Sequence, residues 1–216
     1  MLRRRRLKVL VFLSCLAPFV YLLWRVWNQD LTANPVEYVT HFTGDWAVRL
    51  LIITLAVTPF RKALALPELI RFRRMLGLYS FLYATLHVLT YVVLDHFFDF
   101  SAIAADIARR RFVTAGMAAY FVLALLAATS TAGWIRRLGG KRWQRLHRLV
   151  YFAAIAAVIH YYWLVKSDVR LPLFYGALAA LLLGYRVLAR RRGARSRARP
   201  GAQYCAQKPL CRPSKL

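Results

Sequence analysis

The sequence predicts an all-α, polytopic membrane protein built as a six-helix transmembrane bundle. The chain has 216 residues, of which 60% are hydrophobic, yet it carries a formal net charge of +25. These two properties separate along the chain, because long apolar runs alternate with short basic ones. That alternation is typical of polytopic helical membrane proteins and unlike a soluble domain.

Six apolar runs are long enough to cross a membrane. At 1.5 Å per residue, runs of roughly 16–21 residues approach or exceed the ~30 Å thickness of a hydrocarbon core. The second run is the shortest and contains Arg49. We expect spans at about 7–27, 45–60, 75–94, 112–132, 148–165 and 171–188, all within one domain over 1–192. The remaining tail, 193–216, is polar, basic and rich in Pro and Gly, so we expect it to be disordered.

The basic residues predict the orientation of the bundle. If the N-terminus is cytoplasmic and the six spans alternate, the cytoplasmic segments hold 26 of the 33 Lys and Arg residues. Cytoplasmic loops of membrane proteins carry such an excess, so we expect both termini in the cytoplasm. Basic loops beside membrane spans also bind anionic membrane lipid. For the excess of basic residues in this chain, lipid binding is therefore favoured over nucleic-acid binding.

Two histidines fall at one depth in different spans. His87 lies 13 residues after Arg74, and His160 lies 12 residues after Arg148, where each arginine is the last basic residue before its span. Both histidines are therefore ~18–20 Å from the cytoplasmic boundary. A lone histidine inside a bundle is more often a hydrogen-bonding residue. The matched depth favours two axial ligands to one haem, an arrangement that leaves iron without an open position and suits electron transfer.

A third histidine, His147, lies ~20 Å from His160 along the same helix and cannot bind the same iron. At its level on span three stands Arg74, so a second bis-histidine haem has no obvious partner. His147 is therefore a candidate ligand or a relay on the inner side. The basic residues around it can hold a flavin phosphate. Judged from the residues alone, however, they are better explained as charges that keep the loops in the cytoplasm and contact lipid headgroups. The candidate flavin-site residues are Arg74, Arg142, Trp143, Arg145 and Arg148.

A further set of polar residues lies near the start of the second span. His41, Asp45 and Arg49 are spaced four apart and share one helical face. Asp45 and Arg49 can simply pair with each other. Arg49 is also close in depth to the expected haem, so it is a candidate to bind a haem propionate. His41 lies outside the expected span and is interpreted as a helix-entry residue.

Several long motifs resemble the MsrQ family, formerly called YedZ. The resemblance covers about residues 7–190, nearly all of the membrane domain. It implies a bacterial inner-membrane b-type cytochrome of the ferric-reductase-like transmembrane group, with haem b and an association with FMN. The motifs are "HFTGDWAVRLLIITLAVTPFRK", "LIRFRRMLGLYSFLYATLHVLTY", "GKRWQRLHRLVY" and "IHYYWLVK".

The resemblance also implies partners and ligands. Family members pass electrons to a periplasmic molybdopterin reductase, MsrP, which reduces methionine sulfoxide in proteins, and a cytoplasmic flavin reductase is the proposed donor. Matched by motif, His87, His147 and His160 are all haem-ligand candidates. The related NADPH oxidases stack two haems between two helices, and Arg74 departs from that pattern. The departure favours one haem near the outer face and a flavin near the inner face.

Two other functions stay open at this point. The chain can be a two-haem transmembrane metal or quinone reductase, or a cofactor-free membrane anchor that docks a partner. The sequence shows no molybdenum-ligand motif and no nucleotide-binding glycine loop, and we identify no catalytic residue. We therefore favour an electron-transfer subunit over the sulfoxide-reducing catalyst itself.

Overall fold

The computed structural model describes residues 2–165 and 168–197, and this part of the chain contains eight α-helices and no strand. The last helix continues past residue 192, where the tail was expected to begin, and residues 198–216 of that tail lie outside the described residues. The helices are α1 (Leu2–Trp27), α2 (Pro35–Ala63), α3 (Ile70–Thr90), α4 (Phe100–Arg109), α5 (Arg111–Ala128), α6 (Ala132–Leu146), α7 (Val150–Leu164) and α8 (Arg170–Arg197).

The transmembrane helices match the six expected spans. Among the described helices, α1, α2, α3, α5 and α8 are long and apolar enough to cross a membrane. The remaining expected span, the fifth at 148–165, corresponds to α7, which has 15 residues and is preceded by the 3₁₀ turn His147–Leu149. At 1.5 Å per residue, α7 alone covers ~22 Å, and the turn extends it toward the full hydrocarbon thickness. The all-α, polytopic class is therefore confirmed.

The main departure from the expected bounds is at the start of α2. This helix begins at Pro35, a full ten residues before the expected span at 45. Asn34 caps it by accepting a hydrogen bond from the backbone N–H of Glu37 at 3.3 Å, and proline is favoured at the first helical position. His41 therefore lies inside α2, and its interpretation as a helix-entry residue was wrong.

Two shorter helices lie in the connections. The N-terminus of α4 is capped by Asp99, whose carboxylate accepts hydrogen bonds from the N–H groups of Ser101 and Ala102 at 3.0 Å each. These bonds lower the pKa of the Asp99 carboxyl. The basic helix α6 changes direction at Gly139, whose φ of +71° suits glycine.

The bundle core is built from two closely packed helix pairs, α2 with α3 and α5 with α7. Ser80 of α3 is fully buried, and its hydroxyl donates to the carbonyl oxygen of Ala47 in α2 at 2.9 Å. Tyr83 is also fully buried, and its hydroxyl donates to the carbonyl oxygen of Cys15 in α1 at 2.9 Å. Hydrogen bonds of this kind fix the relative positions of helices where the hydrophobic effect alone is weak.

Candidate functional site

The two histidines at matched depth face each other in the bundle. His87 belongs to α3 and His160 to α7, and their ring centres are 6.0 Å apart with the ring planes crossing at 79°. The two residues thus come from different helix pairs. Both residues line a cavity between α2, α3, α5 and α7.

Each imidazole is held by a backbone carbonyl of the partner helix in its own pair. Nδ1 of His87 lies 2.9 Å from the carbonyl oxygen of Thr40 in α2, and Nδ1 of His160 lies 2.7 Å from that of Phe112 in α5. A carbonyl oxygen only accepts hydrogen bonds, so Nδ1 carries the proton in both rings. In a neutral imidazole this leaves the lone pair on Nε2, which is how metal-ligating histidines are usually oriented.

A glycine makes room for each imidazole. A Cβ added to Gly44 in α2 would lie 3.0 Å from Nδ1 of His87, and one added to Gly116 in α5 would lie 2.7 Å from Nδ1 of His160. Each glycine follows by four residues the carbonyl that its histidine contacts, at Thr40 and Phe112. The same arrangement, a carbonyl that contacts the imidazole and a glycine one turn later, therefore occurs in both helix pairs and positions both rings.

A cavity of about 440 Å³ adjoins both rings. Most of its lining is apolar, with residues such as Leu51, Leu123 and Ala157, and the lining also includes charged side chains such as Glu37 and Asp95. A mostly apolar lining with a few charged groups suits a porphyrin, whose ring is apolar and whose propionates are charged.

The ring geometry fits two ligands on one metal ion. A metal–imidazole bond is about 2.0–2.1 Å and each nitrogen lies ~1.1 Å from its ring centre, so opposite imidazoles on one ion have centres about 6 Å apart. Within the described residues no group of three or more His, Cys, Asp or Glu side chains is placed to hold a metal ion. Two histidines alone suit haem iron, because the macrocycle provides the other donors.

The structure places Arg49 beside this cavity, outside its lining. Its guanidinium donates to the Tyr175 hydroxyl at 3.0 Å and to the Asp45 carboxylate at 3.2 Å. Asp45 does line the cavity, and so does Arg110, the residue between α4 and α5. Nε of Arg110 lies 3.2 Å from a carboxylate oxygen of Asp106. Of these two arginines, only Arg110 lines the cavity directly.

His147 lies apart from the facing pair. Its ring stacks on Trp143, with centres 3.9 Å apart, and its Nε2 lies 3.3 Å from the hydroxyl oxygen of Ser130. The Trp143 indole N–H donates to the carbonyl oxygen of Thr129 at 2.9 Å. These contacts join α6 to the C-terminal end of α5.

The other candidate flavin-site residues do not gather around a described cavity. Trp143 is half-buried in the contacts just given, whereas the four arginines are exposed, and none of these residues lines either of the two described cavities. The arginines are Arg74, Arg142, Arg145 and Arg148.

Reasoning from the sequence missed several site residues. Gly44, Gly116 and Arg110 were given no role, and neither were the carbonyls of Thr40 and Phe112. The available signal was a glycine inside an apolar helix. A glycine there lowers helix stability by about 1 kcal/mol relative to alanine, so its presence indicates that another group approaches the backbone closely. What the glycine contacts is decided by packing between helices and cannot be read from spacing.

Comparisons with known proteins agree with this architecture. A family model described as ferric reductase like transmembrane component matches residues 43–158. The protein-methionine-sulfoxide reductase heme-binding subunit MsrQ of Caulobacter vibrioides is 46% identical over 185 residues, which cover 86% of this chain and 88% of the relative. The proteins of the same name from Bordetella pertussis and Xanthomonas axonopodis pv. citri are 46% and 47% identical, covering 88% and 83% of this chain and 93% and 85% of the relatives.

Proposed function

This chain belongs to the MsrQ family, within the ferric reductase-like transmembrane proteins, and we propose that it is the haem b-binding membrane subunit of a methionine sulfoxide reductase system. The observation that carries the proposal is the facing pair His87 and His160, with ring centres 6.0 Å apart. The relatives named above are described as heme-binding subunits, which agrees with it.

Each residue of the site has a defined part in this function. His87 and His160 would hold the haem iron through Nε2, and the carbonyls of Thr40 and Phe112 hold each Nδ1–H and so leave Nε2 free for the iron. The apolar lining limits access of water, which helps set the reduction potential. When bound, haem iron supplies one-electron transfer. With both axial positions taken by the protein, the site exchanges electrons without binding a substrate.

We propose that electrons cross the bundle from its basic end to the opposite end, and the placement of charge and histidines supports this direction. We place the chain in the bacterial inner membrane with the basic end, defined by residues 61–74 and 136–148, in the cytoplasm. Electrons enter there, from a cytoplasmic flavin reductase through FMN bound near His147, Trp143 and the neighbouring arginines. They leave the haem near the outer face for a periplasmic MsrP-type molybdopterin reductase. This chain is the electron-transfer subunit of that pair.

The test is the absorption spectrum of the purified full-length protein. We expect a Soret band and one iron per chain. His87→Ala and His160→Ala should each shift the band or lower it strongly, because the iron loses one of its two protein ligands and the haem is held less tightly. His96→Ala is the matched control, since His96 is a partly buried histidine paired with Asp106 outside the cavity lining.

The alternatives predict different results in the same experiment. Two irons per chain would favour the two-haem metal or quinone reductase. A colourless protein would favour the cofactor-free anchor. Retention of the full band in both His87→Ala and His160→Ala would exclude this pair as the ligands.

A further inference from the structure

A second cavity lies at the basic end of the bundle. It has a volume of about 180 Å³ and is bounded by α2, α3, α7 and α8. None of its lining residues lines the larger cavity between the histidines. The side chains around it include Thr58, Lys62, Arg73, Tyr151, Tyr185 and Arg186.

The lining of this cavity is strongly cationic. Lys62, Arg73 and Arg186 come from three different helices, and none of the described lining residues is acidic. Arg73 and Arg186 line the same small cavity, so their like charges lie on one site. Like charges in a partly buried site are unfavourable unless an anion neutralises them. The arrangement is therefore expected to attract an anion.

Arg186 has donor capacity that the protein leaves unused. Its side chain is only 8% exposed, with Nη1 donating to the Tyr151 hydroxyl at 2.6 Å and Nη2 to the Leu55 carbonyl oxygen at 2.5 Å. Its Nε is buried without a hydrogen-bond partner among the described residues, and so is Oγ1 of Thr58. Buried polar atoms are nearly always hydrogen-bonded, so two unpartnered atoms beside one cationic cavity indicate a missing ligand.

We propose that this cavity binds a phosphate group. A phosphate monoester carries about −1.5 to −2 charges at pH 7 and several acceptor oxygens, which matches three cations and an unpartnered guanidinium N–H. The tyrosine hydroxyls of Tyr151 and Tyr185 add polar contacts at the same place. An ammonium or guanidinium ligand is excluded by the charge of the lining.

The volume and the opening define what carries the phosphate. A cavity of 180 Å³ exceeds by more than tenfold the ~10–15 Å³ that one water requires, so it accommodates a tetrahedral oxyanion but not a whole nucleotide. Lys62 and Tyr185 are exposed, so the cavity opens outward and the rest of the ligand lies outside it. Two sources have this chemistry, the phosphate of FMN and the headgroup of an anionic phospholipid. The phosphate site itself does not depend on the proposed electron-transfer role.

The test measures binding to the full-length, haem-containing protein in neutral detergent after removal of native lipid. One arm compares FMN with riboflavin, which lacks the phosphate. The other compares retention of phosphatidylglycerol with that of the zwitterionic phosphatidylcholine. We expect a preference for the anionic ligand in at least one arm. Lys62→Gln and Arg73→Gln should each weaken that preference about tenfold or more, because each removes one charged donor.

Matched controls separate this site from general surface charge. Arg61→Gln and Arg71→Gln each remove one positive charge from the same end of the bundle, and neither residue lines the cavity. Lys62 is exposed, so Lys62→Gln keeps the test valid even where Arg73→Gln reduces folding. If Lys62→Gln and Arg73→Gln weaken the preference for FMN over riboflavin, the phosphate belongs to the cofactor. If they weaken the preference for phosphatidylglycerol over phosphatidylcholine, it belongs to a lipid headgroup. Absence of both preferences, or equal losses in the control variants, would overturn the proposal.

Discussion

Gly116 lies directly against the imidazole of His160, so closely that an added Cβ would come within 2.7 Å of Nδ1 and 2.9 Å of Cε1. Such distances are essentially never found for real Cβ atoms. A Cβ added to Gly44 would lie 3.0 Å from Nδ1 of His87, which is also closer than most real Cβ contacts. The two glycines therefore allow the rings to lie close against α2 and α5.

The first prediction concerns these glycines. Gly116→Ala should lower haem affinity roughly 10–100-fold, the usual cost of disturbing groups that orient metal ligands, and Gly44→Ala should have a smaller effect. Haem content per chain and the Soret maximum are the measurements. Gly77→Ala is the control, because its added Cβ would meet only Thr54 Cγ2, at 3.8 Å. If Gly116→Ala and Gly77→Ala retain equal amounts of haem, the positioning role of Gly116 is wrong.

The second prediction concerns the two arginines near the cavity. Arg110→Gln removes a cation from the cavity lining, so the midpoint potential of the haem should fall, since the oxidised form carries more positive charge. Arg49→Gln should also lower the potential, because Asp45 then loses the cation that it contacts at 3.2 Å. Spectroelectrochemical titration measures both shifts.

A double variant decides how Arg49 acts. If Arg49 affects the haem through Asp45, Arg49→Gln/Asp45→Asn should recover most of the wild-type potential, because net charge beside the cavity is restored. If Arg49 binds a haem propionate directly, as proposed from the sequence, the double variant should stay shifted and lose haem. The propionate role of Arg49 stays a prediction until that comparison is made.

The third prediction concerns His147. His147→Ala should preserve haem content and the bis-imidazole spectrum, because His147 contacts Ser130 and Trp143 and does not line the larger cavity. Reduction by a reduced flavin added from the basic end should become slower. Ser130→Ala removes the same contact while keeping the imidazole, and so separates a relay role from a structural one. Complete loss of haem in His147→Ala would show that the ligand assignment is incorrect.

The fourth prediction concerns stability. Ser80→Ala removes a buried hydrogen bond between α3 and α2, so the free energy of unfolding should fall by about 0.6 kcal/mol and by no more than ~1.7 kcal/mol. Thr85→Ala is the matched control, because its hydroxyl donates at 2.9 Å to Phe81 within the same helix. Unfolding in detergent at fixed haem occupancy provides the comparison. Equal losses in the two variants would contradict a special contribution from the contact between helices.

The transmembrane helices were predictable because their signal is local. Apolar length alone identifies a span, and each of the six expected spans has a helix in the structure. The matched depth of His87 and His160 was also readable, since the rise per residue is constant in a helix. Bounds were predicted less well, as the early start of α2 at Pro35 shows, because residues 35–44 mix apolar and polar side chains and so do not extend the apolar run.

The partners of the side chains depended on how the helices pack. Arg49 and Arg110 are both arginines near the same end of the bundle, and nothing in their spacing tells which of them lines the cavity. Arg186 is even less predictable, because it resembles the flanking basic residues of a span yet is 8% exposed among four helices. Rotation of a helix about its axis decides such outcomes, and the sequence of one helix does not specify it.

The sequence by itself determined the class of protein, the positions of the six apolar helices and the matched positions of the two histidines along them, because all three depend on apolar length and helical rise. Only the tertiary structure decided that the rings of His87 and His160 face each other at 6.0 Å, that glycines make room for them, and which cations surround a cavity. The physical reason is that depth is a property of one helix, whereas facing, contact and burial are properties of helices packed together.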